Sequence, residues 1–421
     1  MSSMNQDCSC ASLDVGALRH ALDIELGRPG LYEQIVQHCP HVFSLRPVFV
    51  TATQREAMAQ LVRAVESVLA LPAYQETVLS WAPESAHMAA SRARGVFLGY
   101  DFHVTPDRIA LIEINTNAGG AMLIAALARA QRACCAEVAQ GVPTLDEIHG
   151  FEQALVAMFH NEWRLVGRQQ PLRSIAIVDV NPQQQYLYPE FLLFQHLFER
   201  HGLQAVIADP GELSWREGRL WHDSMPIDLV YNRLTDFTLV EPGHASLREA
   251  YVQDAVVLTP HPRAHALYAD KRNLTLLSNA DELTRLGVAA DIQDLLLQHI
   301  PRTERLDASR ADDWWRDRRR WFFKPSSGFA GRAAYRGDKL TQRVWQEILH
   351  GDYIAQQFVA PGERVVQQGD DNTDASFMKF DVRNYVYDGA VQWLTARVYQ
   401  GQTTNFRTPE GGFAPVFGEC G

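Results

Sequence analysis

The segment Trp321-Phe-Phe-Lys-Pro-Ser-Ser-Gly-Phe-Ala-Gly-Arg-Ala-Ala-Tyr335 decides the fold. Its apolar beginning predicts a strand that ends at Lys324 and Pro325, and its glycines predict a loop before a second strand of small residues. Backbone N–H groups of such a loop can surround phosphate oxygens while a lysine ammonium reaches the same oxygens. The G-x-x-x-x-G-K-[ST] pattern of a P-loop is absent, so a Walker-type fold is disfavoured.

Two further motifs flank this segment. Asp352-Tyr-Ile-Ala-Gln-Gln-Phe-Val-Ala-Pro-Gly-Glu363 is an apolar strand that leads into a polar turn, and Tyr268-Ala-Asp-Lys271 lies upstream. Together the three motifs resemble the ATP-grasp superfamily, whose nucleotide lies between two α+β subdomains. The resemblance implies that Lys324 and Lys271 contact ATP phosphates, that residues 356–359 line the adenine site and that Glu363 binds the ribose. The nucleotide-binding residues that it implies are Lys271, Lys324, Ser327, Gly328, Gly331, Gln356, Gln357, Phe358, Val359 and Glu363.

The C-terminal part of the chain extends this resemblance. Phe380-Asp-Val-Arg383, Arg397, Thr404-Asn405 and Gly411-Gly412 resemble the back half of the ATP-grasp domain in the ribosomal-modification and glutathione-synthetase-like branches. The resemblance implies that Arg383 and Arg397 face the transferred phosphoryl group and that Asn405 belongs to the catalytic set. The alternative is that both arginines simply alternate with apolar neighbours on an exposed strand face.

The expected metal ligands lie near the front of the chain instead of after the glycines. Gly99-Tyr-Asp101-Phe precedes Leu111-Ile-Glu113-Ile-Asn115, and a small-residue turn follows. Glu113 and Asn115 are two residues apart on one predicted strand and share a face, on which Asp101 of the neighbouring strand can converge. These oxygen ligands suit Mg²⁺, with Mn²⁺ as the alternative ion. The motif order is circularly permuted, as in the eukaryotic glutathione synthetase and glutathionylspermidine synthetase groups that it resembles.

The fold class that follows is mixed α/β and α+β, an ATP-grasp fold in circularly permuted order. Residues 1–94 form a mostly helical N-terminal segment, including an amphipathic helix over 53–71 with a capping box of Thr53 and Glu56. Residues 95–150 carry the metal ligands. Residues 171–265 read as β-α-β and predict a parallel α/β substrate domain. Residues 266–421 supply the nucleotide-binding subdomains.

Composition limits the partners and the location. The 421 residues include 39 basic and 50 acidic side chains, for a formal charge of −11. Because phosphate neutralisation needs a basic face, we expect no nucleic-acid partner and no membrane surface. Six irregularly spaced cysteines favour a reducing, cytoplasmic location, and we find no signal peptide and no apolar run of about 18 residues.

The resemblance implies an ATP-dependent ligase that joins a small carboxylate to a small amine through an acyl phosphate. Three alternatives stay open: a small-molecule kinase, a nucleotide-binding module without turnover, and an unrelated α/β protein whose motif matches arise by chance. Residues 1–94 either cap the acceptor site or form a subunit interface in a homodimer, and their pattern does not decide between these roles.

Overall fold

The computed structural model describes residues 4–7, 11–25, 30–44, 46–89, 91–133, 139, 141–328, 333–367, 375–405 and 408–419. Among these residues, seven strands form a central sheet in which strands from distant parts of the sequence are neighbours. Gly362–Gln367 pairs with the first half of the long strand Ala375–Tyr387. The main path of the sheet runs through Val48–Thr51, Gly412–Glu419, Ala390–Tyr399, Ala375–Tyr387, Leu98–Thr105 and Arg108–Asn115.

The other described elements surround this sheet. The α-helices span Met4–Asp7, Val15–Glu25, Leu31–His38, Ala52–Leu69, Pro72–Leu79, Ala121–Arg129, Leu145–Leu165, Tyr188–Arg200, Ala245–Val252, Pro262–Tyr268, Asn273–Leu277, Ala280–Arg285, Ala290–His299, Ala311–Asp317 and Gln342–His350. The strands outside the sheet span Ala11–Leu13, Gln131–Ala133, Ser174–Val178, Gln204–Ala208, Leu213–Arg216, Arg219–His222, Met225–Ile227, Leu229–Asn232, Val257–Thr259, Thr303–Arg305, Trp321–Pro325, Tyr335–Arg336 and Tyr353–Gln357. In the part of the chain that the structure describes, no helix combines the length and the apolar character of a membrane span.

The hairpin Leu98–Asn115 lies inside the central sheet, beside the late strand Ala375–Tyr387. Along Leu98–Thr105 the even-numbered side chains are apolar and pack in one core with the helix Ala52–Leu69. Because side chains alternate across a strand, the odd-numbered residues, which include Asp101, lie on the opposite face. The early segment therefore completes a sheet whose other strands come mostly from the end of the chain. That this order arose by circular permutation stays a prediction.

The predicted α/β layer is present. Four described strands pair in parallel in the order Val257–Thr259, Leu229–Asn232, Ser174–Val178 and Gln204–Ala208. The helix Tyr188–Arg200 connects the last two of these strands in that layer, as the β-α-β pattern predicts. Parallel strands need such crossovers because their ends lie at opposite edges of the sheet.

The decisive segment forms part of a small antiparallel sheet. The strand Trp321–Pro325 pairs with Tyr353–Gln357 on one side and with Tyr335–Arg336 on the other. The first predicted strand is therefore confirmed. The second strand is Tyr335–Arg336 and begins after the small residues that were predicted to form it, because Ala333 has a left-handed φ of 55° that ends extended pairing there. Residues 329–332 lie outside the described residues. This sheet has its own small core, made of Trp314, Phe323, Trp345, Ile348 and Ala355.

The N-terminal segment differs from its prediction in two details. The helix begins at Ala52, and the capping box is made by Thr51 and Gln54 instead of Thr53 and Glu56. Thr51 accepts a hydrogen bond from the Gln54 backbone at 3.1 Å, and the Gln54 side chain accepts one from the Thr51 backbone at 3.0 Å. The segment also contributes the edge strand Val48–Thr51, which pairs in parallel with Gly412–Glu419. It is therefore an integral part of the central sheet's core.

We predict that Glu162 stabilises the junction between the α/β layer and the central sheet. Its fully buried carboxylate accepts hydrogen bonds from the Gly95 backbone at 3.0 Å, Thr259 Oγ1 at 2.6 Å and the Tyr387 hydroxyl at 2.9 Å. Glu162→Ala leaves these buried donors unpaired, so we expect a loss of roughly 3 kcal/mol or more in the free energy of unfolding. Urea denaturation measures it. Asp146→Asn, an exposed change on the same helix, is the control, and an equal loss in both variants would contradict the assignment.

Candidate functional site

A row of charged side chains crosses the middle of the central sheet. Asp101 lies opposite both Glu113 and Arg383, and Asp381 lies opposite Arg397. Residues that are directly opposite in antiparallel strands share a face, so these five side chains belong to one surface of the sheet. We call these residues, together with Asn115, the charged row. Four strands build it, and they belong to two hairpins that are far apart along the chain.

The charged row is tightly hydrogen-bonded. Arg383 binds Asp101 with both Nε and Nη2, at 2.7 and 2.8 Å, and Arg397 Nη2 reaches Asp101 Oδ2 at 2.7 Å. Arg397 Nε donates to Asp381 Oδ1 at 2.6 Å. Burial raises the pKa of Asp101, and the guanidinium groups of Arg383 and Arg397 act against that rise. Burial also disfavours the charged Arg397, but Asp101 and Asp381 raise the pKa of Arg397 above its usual value.

Gly99 makes room for this arrangement. A β-carbon on Gly99 would lie 3.0 Å from Arg383 Nε and 2.8 Å from the Ala118 methyl group. The Arg383 side chain therefore crosses the strand Leu98–Thr105 at Gly99, where no side chain blocks it. This path brings the Arg383 guanidinium group to Asp101.

A β-bulge connects the central sheet to the predicted phosphate lysine. Asp101 pairs with Glu113 and Phe102 pairs with Leu111, so Ile112 is the extra residue on its strand. The Ile112 carbonyl accepts a hydrogen bond from Lys324 Nζ at 2.9 Å. Lys324 also donates to Gln356 Oε1 at 2.9 Å. The lysine of the small sheet thus reaches across to the strand that carries Glu113 and Asn115.

Lys271 approaches the same region from the other side of the glycine segment. Its Nζ donates to the Gly328 carbonyl at 2.9 Å, and its backbone N–H donates to Ser326 at 3.1 Å. The structure therefore brings both predicted lysines to the beginning of the loop. Ser327 and Gly328 are exposed there, and Gly331 lies outside the described residues.

Positive charge controls the ionisation of Glu113. Burial opposes its ionisation, but Lys324, Lys271 and Arg397 outweigh burial and hold the pKa of Glu113 well below its usual value. Burial lowers the pKa of Lys324 to about 8, although Glu113 favours its charged form. At neutral pH the site therefore holds an anionic Glu113 beside a cationic Lys324.

The three predicted metal ligands converge, but they differ in what they can offer an ion. Asn115 Nδ2 lies 2.9 Å from Asp101 Oδ2 and 3.1 Å from Glu113 Oε1. Both oxygens of Asp101 are already engaged by Arg383 and Arg397. Glu113 is anionic, and within the described residues its side-chain hydrogen-bond partner is Asn115. Among the described residues no three His, Cys, Asp or Glu side chains form a metal-binding group. The side-chain oxygens of Glu113 and Asn115 are suitable ligands for Mg²⁺, which commonly binds one or two protein oxygens together with phosphates and water.

Residues 356–359, the predicted adenine-binding strand, form hydrogen bonds to other groups of the protein. Gln356 is buried against Lys324, and the Gln357 and Phe358 backbone N–H groups donate to the backbone carbonyls of Arg302 and Arg320, at 2.7 and 2.8 Å. The Val359 carbonyl accepts from His103 at 2.8 Å. The contribution of these residues to an adenine site stays a prediction.

Two other predicted residues are not members of the charged row. Glu363 is exposed at the beginning of the strand Gly362–Gln367. Asn405 makes local bonds, donating to the Gln400 carbonyl at 3.0 Å and accepting from Thr408 at 3.0 Å. Their proposed roles as ribose ligand and catalytic residue stay predictions.

Sequence reasoning missed Asp381 and His103. Asp381 stands two residues before Arg383, and His103 stands two residues after Asp101, so each shares a strand face with a residue that was selected. Burial lowers the pKa of His103 to about 4, which keeps the imidazole neutral beside the Val359 carbonyl. Because residues two apart on a strand share a face, this spacing could have indicated both residues from the sequence.

Comparisons with known proteins identify the fold. No family model matches the chain, and no curated protein matches its sequence. The apo structure of a glutathione synthetase-like effector from Globodera pallida matches with a TM-score of 0.56 and 10% identity, over 96% of this chain and 98% of that chain. This likeness shows that the chain has a glutathione-synthetase-like fold, and the predicted mixed α/β fold class is confirmed, whereas its circularly permuted order stays a prediction.

Two further solved structures match more loosely. A putative γ-glutamylcysteine synthetase from Methylobacillus flagellatus matches with a TM-score of 0.47 and 12% identity, over 86% of this chain and 87% of that chain. The ATP-grasp ligase PsnB, complexed with a minimal precursor, matches with a TM-score of 0.30 and 12% identity, over 59% of this chain and 90% of that chain.

We predict that Lys324 loses its charge near pH 8 in the nucleotide-free protein. The full sequence contains only four lysines, so selective ¹³Cε-lysine labelling yields few NMR signals, which Lys324→Arg assigns. The folded pKa of about 8 lies below the ordinary value of 10.5, so between these values the unfolded chain binds more protons. The contribution of Lys324 to stability therefore rises with pH across that window. A Lys324 signal that titrates at the ordinary value of 10.5 would contradict the prediction.

Proposed function

We propose that the protein is an ATP-dependent ligase that joins a carboxylate to an amine and releases ADP and phosphate. One observation carries this function within the ATP-grasp-like fold. Two lysines from separate segments, Lys271 and Lys324, meet the half-buried Glu113 and Asn115 at the contact between the small sheet and the central sheet. A purely structural junction has no need for two ammonium groups, one of them the buried Lys324, beside a half-buried carboxylate, because burying charge is costly.

The positive charge of these residues suits the reaction because it reduces the repulsion between two anionic substrates. A substrate carboxylate must approach the γ-phosphate of ATP, and both are anions. Lys271, Lys324, Arg383 and Arg397 carry four positive charges, whereas Asp101, Glu113 and Asp381 carry three negative ones, so the site has a net positive charge that favours bound anions. Mg²⁺, held by Glu113 and Asn115, supplies further neutralisation of the phosphates when it is bound.

The proposed reaction has two steps. In the first, a carboxylate oxygen bonds to the γ-phosphorus while the bond between that phosphorus and the bridging oxygen breaks, so that ADP leaves. In the second, the amine nitrogen bonds to the acyl carbon, the carbon–oxygen bond to phosphate breaks, and the amine loses a proton. Arg383 and Arg397 are the groups we assign to the phosphoryl oxygens, and Lys324 to the ATP phosphates.

Arg233 supports a location for the substrate beside the α/β layer. It follows the strand Leu229–Asn232, and its Nη1 donates to Asn117 Oδ1 at 2.5 Å and to the Tyr231 hydroxyl at 3.1 Å. Asn117 belongs to the turn directly after Asn115. The carboxyl ends of parallel strands, where α/β sheets commonly bind ligands, therefore border the proposed metal site.

A screen of acid and amine pairs tests the ligase. We expect ADP release that needs both a carboxylic acid and an amine, and an amide product in mass spectrometry. A phosphorylated acid or alcohol as the final product would favour a kinase, and nucleotide binding without hydrolysis in the whole screen would favour a non-catalytic module.

Glu113→Gln and Asn115→Ala test the metal assignment. Each removes a proposed oxygen ligand or its charge without changing an apolar position, so we expect turnover to fall at least about 100-fold with little change in thermal stability. We also expect EDTA to abolish wild-type ADP release and added Mg²⁺ to restore it. Glu347→Gln, at an exposed carboxylate, is the control. Full activity in both site variants would refute the assignment.

Lys324→Met tests the phosphate assignment. Loss of a charge-assisted contact to phosphate should weaken ATP binding by roughly 10- to 100-fold in isothermal titration calorimetry. Because Lys324 is neutral above about pH 8, wild-type affinity should also decline as the pH rises through that value. Lys339→Met, at an exposed lysine, should bind ATP as the wild type does. Equal affinity in the two lysine variants would exclude Lys324 from the phosphate site.

A further inference from the structure

We infer that Asp381 is a positioning residue, which holds the Arg397 guanidinium for the γ-phosphoryl group and links it to Thr404. The inference rests on the proposed function, since it concerns the arginine that we assign to the transferred phosphoryl group. Asp381 itself contacts neither nucleotide nor metal in this assignment. It acts through Arg397.

Both oxygens of Asp381 are used, and for two different partners. Oδ1 accepts from Arg397 Nε at 2.6 Å, and Oδ2 accepts from the Thr404 hydroxyl at 2.5 Å. The carboxylate is 1% exposed, so it exchanges neither partner readily for water. Thr404 lies beyond the end of the strand Ala390–Tyr399, in the connection that leads to the last strand. One buried carboxylate thus joins an arginine of the sheet to a residue of that connection.

The remaining contacts of Arg397 orient its guanidinium group. Nε is bonded to Asp381 and Nη2 to Asp101, so two carboxylates on neighbouring strands fix the plane of the fork. Its Nη1 group makes no hydrogen bond within the part of the chain that the structure describes, and the side chain is 10% exposed. A planar group that is held at two corners presents its third corner in a defined direction. Nη1 is the corner available to a phosphoryl oxygen.

The order of charges distinguishes this arrangement from isolated ion pairs. Thr404, Asp381, Arg397, Asp101 and Arg383 form one continuous chain of hydrogen bonds. Arg383 binds Asp101 through two of its nitrogen atoms. Arg397 shares Asp101 with it and needs Asp381 for its second contact. Loss of Asp381 therefore affects the orientation of Arg397 first and leaves the Arg383 pair intact.

Nucleotide discrimination tests this role without any need for turnover. We would measure the affinities of AMPPNP and ADP by isothermal titration calorimetry and compare their ratio between variants, because that ratio reports contacts to the γ-phosphoryl group. Asp381→Ala should lower the preference for AMPPNP by about tenfold while ADP affinity stays within about twofold, as expected for one misplaced charge-assisted contact. Asp381→Asn keeps the size and an acceptor oxygen for Nε, so it should retain more of the preference than Asp381→Ala.

Thr404 provides the second arm of the experiment. Thr404→Val removes the hydroxyl without changing the side-chain shape, and Thr404→Ser restores it. We expect a reduced AMPPNP preference in the valine variant and recovery in the serine variant. Asp388 is an exposed carboxylate in the turn after the strand Ala375–Tyr387, which carries Asp381. Asp388→Ala should therefore show the same AMPPNP preference as the wild type.

The possible outcomes distinguish a failure of the proposed ligase function from a failure of the role inferred for Asp381. If the wild type binds neither nucleotide, the proposed function fails and the inference falls with it. If the wild type prefers AMPPNP and folded Asp381→Ala keeps the same ratio, the inference alone is overturned. The same holds if the wild type binds both nucleotides equally, since Arg397 then makes no contact to the γ-phosphoryl group. If Asp381→Ala does not fold, the Asp381→Asn and Thr404 variants decide between these results.

Discussion

The ion pair between Asp101 and Arg383 is the contact on which the rest of the site depends. It joins an early hairpin to a strand that lies 282 residues further along the sequence. Both side chains are buried, so the pair is stable only when its geometry is good and its other polar atoms are satisfied. A one-residue slip of the hairpin would send Asp101 to the apolar face and leave Arg383 unpaired. The charged row thus selects one register for the central sheet.

That register also determines where the small sheet meets the central sheet. The β-bulge at Ile112 follows from the way the two hairpin strands pair, and its carbonyl is the acceptor for Lys324. Lys324 in turn helps to keep Glu113 anionic, and burial lowers the pKa of Lys324 toward neutrality. The bulge, burial and charge therefore together determine the position and the ionisation of Lys324 and Glu113. A bound polyanion would relieve the burial of positive charge that the free protein maintains.

The N-terminal segment contributes to this geometry from the other face. Its helix Ala52–Leu69 packs against the apolar side of the hairpin strand whose opposite side carries Asp101. The edge strand Val48–Thr51 extends the same sheet. Packing on one face of the hairpin and ion pairing on the other are thus coupled through a single strand, because its side chains alternate.

The sequence by itself determined the elements that depend on local pattern. These are the β-α-β layer, the strand that ends at Lys324, and the grouping of Glu113 with Asn115, since a period of two places both on one face. The tertiary structure decided the rest. Asp381 could not be selected from its neighbours alone, because its role comes from its pairing with Arg397 across strands. Likewise, only the fold shows that the arginines engage both oxygens of Asp101, since long-range register and burial choose partners that local spacing cannot specify.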